Sequence, residues 1–207
     1  MTIIDDYLKL QVEYEKKYGE NTIVIMEVGS FYELYGVDNE YEKLGKIELM
    51  SKILDLTMTR KNNKLPPGSS RKNPLMIGIP TISSNKYIKI LLNNNYTIVL
   101  VNQSDEETSN GGKIRNVSEI ISPGTHFYND TPDLNNIISI YIEGDTDFRN
   151  HTDILYIGVS IMDISIGNTN IYEFSSKKND YHFAQDELYR IINTYNPSEF
   201  IIKTLNI

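Results

Sequence analysis

Residues 29–33, with the sequence Gly-Ser-Phe-Tyr-Glu, combine side chains that could act on a DNA duplex. Gly29, followed by the small Ser30, allows the backbone to approach a partner where a Cβ atom would collide. An exposed Phe31 can act as a wedge between base steps, which partly unstacks and kinks the duplex. Glu33 would be repelled by phosphates, so near DNA we expect it only as an acceptor of a hydrogen bond from a base edge. An ordinary Phe-Tyr pair in the core of a strand fits the same residues.

Two predicted elements come before this motif. Residues 4–18 have the spacing of an amphipathic helix, with Ile4, Leu8 and Val12 on one face and Gly19 as its end. Residues 22–28 form an apolar run that predicts a strand. The motif is therefore expected at a strand end.

Helices and strands alternate after the motif. A polar loop from Asn62 to Asn73 interrupts them, and loops of this length are usually functional or mobile. The predicted elements are a helix through Leu44 to Ile53, strands at 54–60, 75–79, 96–101 and 114–121, a helix at 84–94 capped by Ser83 or Ser84, and a polar loop at 104–112. This order predicts a mixed-sheet α/β domain over residues 1–125.

A second domain is predicted after a linker at 126–135, because proline and glycine interrupt the pattern between Pro123 and Leu134. Its expected elements are strands at 137–142, 154–166 and 170–174, a helix at 180–194, and a strand at 200–203. Three strands, a helix and a strand open a ribonuclease-H-like fold. Residues 136–207 are therefore predicted to form an incomplete domain of that class.

The composition excludes several kinds of site. No cysteine is present, so neither disulfides nor thiolate metal sites can form, and the three histidines lack metal-ligand spacing. The N-terminus lacks the basic flank and long apolar core of a signal peptide, and no run is long and apolar enough for a membrane span. We therefore expect a soluble intracellular protein with no membrane partner and no bound metal.

The net charge of −8 argues against binding to nucleic acid, but the distribution of charge does not. From Lys52 to Lys89 there are eight basic residues and one acidic residue, Asp55, which gives this segment a net charge of +7. A basic patch on an acidic protein suits a focused contact with phosphates. Arg60 and Lys61 follow a predicted strand there and are the candidates for that contact. A solvated loop accounts for the charge equally well.

Further motifs follow the first one in order along almost the whole chain. Together they resemble the N-terminal part of the MutS family of DNA mismatch-repair proteins. The chain departs from the family pattern at Ile77, where Ala is common, and at Asn102, where Glu is common. The matching segments are Leu54–Arg60, Met76–Pro80, Val99–Gln103, Arg115–Val117, Ile120–Thr125, Met162–Gly167 and Asn196–Glu199.

The resemblance implies roles for the first motif, which lies in the mismatch-binding domain of that family. The Phe31 ring is expected to stack on a mismatched or unpaired base from the minor groove, where unstacking costs less because pairing is already defective. Glu33 is expected to accept a hydrogen bond from the displaced base and, by its charge, to oppose binding to intact duplex. Tyr32 and Tyr35 are expected to pack behind the wedge.

The resemblance also implies partners and cofactors. The expected partner is double-stranded DNA with mismatches or small loops. No Gly-x-x-x-x-Gly-Lys-[Ser/Thr] motif occurs, so ATP and Mg²⁺ are expected only in C-terminal domains outside this chain. Residues 136–207 would correspond to the connector domain, the fragment would be monomeric and the full-length protein dimeric. The Asn- and Ile-rich composition fits MutS relatives of giant DNA viruses or organelles, acting in a nucleus, an organelle or a viral replication site.

Two other functions stay open at this point. Ribonuclease-H-like nucleases begin with an Asp on the first strand, as Asp163 would, but two-metal hydrolysis needs several converging carboxylates. The nearby acidic residues are expected in a loop between strands, and these are Glu143, Asp145, Asp147 and Asp153. The other function is a protein-interaction module with Phe31 in its core. Exposure of Phe31 separates this last hypothesis from a DNA wedge.

Overall fold

The protein, studied as a computed structural model, forms two compact units, Met1–Pro123 and Gly124–Ile207, each with its own apolar core. The structure describes residues 2–65, 68–107, 112–126, 135–147, 152–177 and 179–207. The division falls two residues before the predicted domain end at Thr125. Of the predicted linker, the structure describes His126 and Asn135, and the Asn135 amide donates to the His126 carbonyl at 3.2 Å.

The first unit is a mixed sheet with three helices. Its elements are α1 (Ile3–Tyr18), β1 (Thr22–Val28), β2 (Phe31–Asp38), β3 (Lys43–Leu44), α2 (Ile47–Leu54), β4 (Thr59–Arg60), β5 (Leu75–Pro80), α3 (Ser84–Asn93), β6 (Thr97–Glu107) and β7 (Lys113–Ile121). The strand order is β4-β5-β2-β1-β6-β7, with β3 beside β2. β1 and β6 are parallel and the other neighbouring strands are antiparallel. The predicted mixed-sheet α/β fold is confirmed.

Helix α1 completes the hydrogen bonding of β1 through a buried glutamine. Gln11 is 1% exposed, and its amide donates to the Thr22 carbonyl and accepts from the Val24 N–H, both at 2.9 Å. The Tyr7 hydroxyl donates to the Val24 carbonyl at 3.0 Å. Because β2 pairs with β1 only from Met26 to Val28, these side chains satisfy backbone groups of β1 that β2 does not reach.

Several details of the first unit differ from the prediction. Val12, expected on the buried face of α1, is 51% exposed, because Gln11 takes the buried position beside it. The predicted strand 54–60 is wrong over most of its length, since α2 ends at Leu54 and Asp55 takes a left-handed conformation with φ 52°. The strand begins only at Thr59.

The predicted cap of α3 is confirmed in position only, because Ser83 is the N-cap residue but its side chain makes no capping hydrogen bond. The Ser83 hydroxyl donates back to the Pro80 carbonyl at 3.2 Å, and the Ser84 hydroxyl donates to the Thr81 carbonyl at 2.8 Å. Neither side chain accepts from the first turn of the helix. Both hydroxyls instead tighten the 3₁₀ turn Thr81–Ser83 that joins β5 to α3.

The long loop between β4 and β5 is anchored at two places. Asn73 is buried, accepts from the Asn62 N–H at 2.7 Å and donates to the Asn62 carbonyl at 3.0 Å. The buried Ser69 hydroxyl accepts from the Asp38 N–H and donates to the Asp38 carbonyl, both at 2.7 Å. This loop is therefore tied to its own base and to the end of β2, apart from residues 66 and 67, which lie outside the described part of the chain.

The second unit is a four-stranded sheet with one helix. Its elements are β8 (Asn136–Asp147), β9 (Thr152–Asp163), β10 (Thr169–Ser175), α4 (Phe183–Tyr195) and β11 (Glu199–Leu205). The order is β10-β9-β8-β11, and only β8 and β11 are parallel. The predicted succession of three strands, a helix and a strand is present, while its assignment as a ribonuclease-H-like domain stays a prediction.

Candidate nucleic-acid interface

Gly29 and Ser30 form the two-residue turn of a hairpin between β1 and β2. Val28 pairs with Phe31 across this turn. Gly29 has a φ of 63°, and a positive φ at the first of two central residues is what a type II′ turn demands of glycine. The motif predicted at a strand end therefore lies at a hairpin turn, and Phe31 is the first residue of β2.

The Phe31 side chain lies at the surface. It is 43% exposed, and a Cβ atom added at Gly78 on β5 would be 3.4 Å from Cδ1 of its ring. The ring therefore rests on a strand position that has no side chain of its own. The hypothesis that places Phe31 in the core is wrong.

Hydrogen bonds fix the turn that carries Phe31 from both sides. The Ser30 carbonyl accepts from the Thr81 N–H at 3.0 Å and from the Thr81 hydroxyl at 3.2 Å. The Gly29 carbonyl accepts from the Gln103 amide at 3.4 Å. The hairpin turn is thus held from one side by the residue that follows β5 and from the other side by β6.

Arg115 on β7 extends this support into the sheet. Its guanidinium donates to the Glu27 carbonyl at 2.8 Å and to the Gln103 side-chain oxygen at 3.1 Å. The Glu27 carboxylate accepts from the Gln103 backbone N–H at 2.8 Å. A charged side chain thus connects three strands immediately before the turn, and charge-assisted bonds of this kind are stronger than neutral ones.

Glu33 lies on the same face of β2 as Phe31, because alternate residues of a strand share a face. It is partly buried, and its Oε2 accepts a hydrogen bond from the Tyr35 hydroxyl. Tyr35 is fully buried, with its ring edge-to-face against Tyr7 at a centroid distance of 5.2 Å. Burial raises the pKa of Tyr35, and the hydrogen bond to Glu33 and the charge of that carboxylate raise it further.

Tyr32 points to the opposite face of β2. Its hydroxyl donates to the Asn102 side-chain oxygen on β6 at 2.9 Å. Partial burial raises the pKa of Tyr32, with a smaller contribution from the charge of Glu27. Tyr32 and Tyr35 are therefore both engaged within the protein, whereas their predicted place behind the Phe31 ring stays a prediction.

The candidate phosphate-binding residues differ in their surroundings. Arg60 on β4 is partly buried and donates to the Leu65 carbonyl at 2.9 Å. Lys61 is exposed, with its ammonium 5.2 Å from the centre of the Tyr35 ring. Arg71 of the same basic segment binds Glu42 at 2.9 Å and lies 3.7 Å from Asp5. Part of the segment's charge is thus neutralised within the protein.

Asp163 lies at the end of β9, where its Oδ1 accepts from the Ser165 N–H at 2.9 Å and its Oδ2 is buried without a recorded donor in the described residues. The turn that follows ends the strand there, short of the predicted Ile166. The neighbouring acids do not lie in a loop as predicted, since Glu143, Asp145 and Asp147 belong to β8 and Asp153 to β9. These acids lie toward the end of the β8–β9 pair of strands that is remote from Asp163. Along β9, Asp153 and Asp163 are ten residues apart, which corresponds to roughly 33 Å.

A family model for MutS domain I matches residues 7–130, more than half of the chain. The chain belongs to the MutS family. The matched range contains the hairpin, Gly78 and Arg115, so the family suggested by the sequence motifs is confirmed.

Individual MutS relatives cover nearly the whole chain. The putative DNA mismatch repair protein mutS homolog L359 of Acanthamoeba polyphaga mimivirus is 33% identical over 204 residues, which is 97% of this chain and 18% of that protein. DNA mismatch repair protein MutS of Staphylococcus haemolyticus is 26% identical over 204 residues, with 97% and 19% covered. MutS of Borreliella burgdorferi is 28% identical over 195 residues, with 94% and 19% covered. The chain spans about a fifth of the length of these curated relatives.

No helix in the part of the chain with described structure is long and apolar enough to cross a membrane.

Three features of this candidate site were not predicted from the sequence. These are the position of Gly78 under the Phe31 ring, the network of Arg115, and the contact between Tyr35 and Glu33. The last had a signal, because two residues spaced by two on a strand share a face. The other two depend on which strands become neighbours, and no local pattern shows that.

Proposed function

We propose that this chain recognises mismatched or unpaired bases in duplex DNA, with Phe31 as a minor-groove wedge and Glu33 as the acceptor for the displaced base. The observation that carries the proposal is the exposure of Phe31 beside a turn that hydrogen bonds hold from both sides. A wedge must be free to leave the protein surface yet fixed in direction, and this arrangement supports both needs.

The energetics of unstacking explain how a single ring selects defective sites. Inserting a ring between base steps costs a few kcal/mol in intact duplex and less where a base is unpaired or mispaired. Selection by deformability needs no reading of sequence. The Gly29-Ser30 turn adds no bulky side chain beside the ring, so the backbone can approach the groove.

Glu33 supplies discrimination of a different kind. A displaced base offers a donor to its carboxylate, whereas an intact duplex offers phosphates that repel it. Arg60 and Lys61 supply attraction that is independent of sequence. Lys61 has to leave the Tyr35 ring to reach a phosphate, which costs about 0.5–1 kcal/mol at an exposed site.

Catalysis, dimerisation and cofactor binding would not belong to this chain by itself. We propose a non-enzymatic and monomeric module without a cofactor of its own, with ATP and Mg²⁺ acting in other domains of the full-length dimer. Its second unit would belong to a ribonuclease-H-like connector. The separation of Asp163 from the acids of the β8–β9 ladder gives no support to a two-metal nuclease there.

Fluorescence anisotropy at low salt tests the proposal. The chain is titrated onto a matched duplex and onto the same duplex with one unpaired base. We expect tighter binding to the defective duplex and loss of that preference in Phe31→Ala, with binding to matched duplex nearly unchanged. We expect Glu33→Ala to raise the affinity for matched duplex and so to reduce the preference for the defective duplex.

Phe200→Ala is the matched control, because Phe200 is 45% exposed and lies on β11 of the second unit. It should bind both duplexes as the wild type does. Equal affinity of the wild type for both duplexes, or an unchanged preference in Phe31→Ala, would refute the wedge.

A further inference from the structure

The carboxylate of Glu33 is held by one donor on its own strand. Oε2 accepts from the Tyr35 hydroxyl, and among the described residues no protein donor is recorded for Oε1. One oxygen is thus occupied by the protein and the other is left for a partner. A long side chain such as glutamate otherwise samples many rotamers, and ordering it on binding weakens affinity.

Tyr35 is itself held in place by contacts within the core. Its ring is fully buried and packs edge-to-face on Tyr7, whose hydroxyl is in turn bound to the Val24 carbonyl. The donor position is therefore set by the core between α1 and the sheet. Its geometry does not depend on DNA being bound.

From this contact we propose that Tyr35 is a specificity-determining positioning residue, which orients the Glu33 carboxylate toward a displaced base before DNA arrives. The proposal rests on the proposed function of Glu33. Tyr35 does not touch DNA in this scheme. It removes rotamer freedom from Glu33, so that the hydrogen bond to the base is formed without further ordering.

Removing only the hydroxyl tests this role. In Tyr35→Phe we expect the ratio of matched to mismatched Kd to fall about three- to tenfold, the range that corresponds to ordering one long side chain at an interface. Tyr32→Phe is the matched control, because it deletes a hydroxyl that binds Asn102 on the other face of the same strand. It should keep the wild-type ratio.

A merely structural role would not give the next two results. In a Glu33→Ala background, where no side-chain acceptor is left for the Tyr35 hydroxyl, Tyr35→Phe should change the ratio no further, because the two residues act as one unit. NMR couplings in free protein should show Glu33 in one χ1 rotamer in the wild type and in Tyr32→Phe, and averaged in Tyr35→Phe. This NMR measurement needs no DNA, and its result for the wild type does not depend on any variant.

The outcomes separate the two claims. A wild type that does not prefer the mismatched duplex contradicts the proposed function, and the Glu33 couplings then decide the role of Tyr35 alone. A preference that survives Tyr35→Phe overturns the role of Tyr35 and leaves the wedge intact. Averaged Glu33 couplings in folded wild type also overturn it, even if Tyr35→Phe fails to fold.

Discussion

The Phe31 ring lies against Gly78 of the neighbouring strand, with 3.4 Å between Cδ1 and the position that a Cβ atom of residue 78 would take. This distance is an ordinary van der Waals contact for a methyl group, and a branched side chain would place further atoms beside the ring. The direction of the Phe31 ring is therefore set in part by a residue that lacks a side chain.

Gly78 should tolerate Ala but not Val. We expect the Gly78→Ala variant to bind mismatched duplex like the wild type. In Gly78→Val the valine side chain should push the Phe31 ring aside and raise the Kd for mismatched duplex about tenfold, the equivalent of about 1.4 kcal/mol. Gly158→Val is the control, because a Cβ atom there meets nothing within 4 Å. Anisotropy titrations with equal Kd for Gly78→Val and the control would contradict the account.

The salt dependence of binding should report the contacts of Arg60 and Lys61. If both meet phosphates, the double Ala variant should bind all duplexes more weakly and flatten the slope of log K against log salt by about 0.9 per lost contact. Arg71→Ala should leave the slope nearly unchanged, since Arg71 is paired with Glu42 and lies near Asp5. An unchanged slope in the double variant would exclude these two residues from the phosphate contact.

Gln11 should matter more for stability than its helical neighbour Val12. Gln11→Ala leaves the Val24 N–H and the Thr22 carbonyl buried without partners, at about 1–3 kcal/mol for each group. Val12→Ala should change the free energy of unfolding by less than about 0.5 kcal/mol, because Val12 is half exposed. Urea denaturation followed by amide signals of the first unit measures both, and equal losses would show that the contacts of Gln11 are unimportant.

Tyr7 should make the first unit lose stability in alkali. Burial raises the pKa of Tyr7 above its ordinary value of 10.0. Above about pH 10 the unfolded chain therefore releases a proton that the folded chain keeps, so stability is full below that pH and falls by about 1.4 kcal/mol per pH unit above it. Tyr7→Phe should flatten this fall, although it also removes the hydrogen bond to Val24. Parallel pH profiles for the two proteins would contradict the shift.

The sequence was most informative where a residue type carries its own conformational demand. Gly19 as the end of α1, the strand β1 and the succession of three strands, a helix and a strand in the second unit were all predicted from local patterns, and the family motifs identified the family. These features depend on glycine geometry and on alternation along a strand. Both are local properties.

Predictions failed where a distant partner decides the structure. Strand β2 is an exception, because it was missed although a local signal was present. A two-residue turn after an apolar run indicates a hairpin. Polar residues at 104–107 indicated a loop, yet β6 continues to Glu107 because β7 pairs with it. Gln11 replaced Val12 in the core because β1 has backbone groups that no strand satisfies.

The most direct measurement of the central claim is an NMR contact between Phe31 and DNA. The protein is deuterated except for its phenylalanine rings and bound to a duplex with one unpaired base, and Phe31→Ala identifies the Phe31 signals among the six phenylalanines. We expect nuclear Overhauser effects from the Phe31 ring to the unpaired base and its neighbours, with strong upfield shifts of the ring protons from stacking. A saturated complex in which the Phe31 signals keep their free-state shifts and show no effect to any base would contradict it.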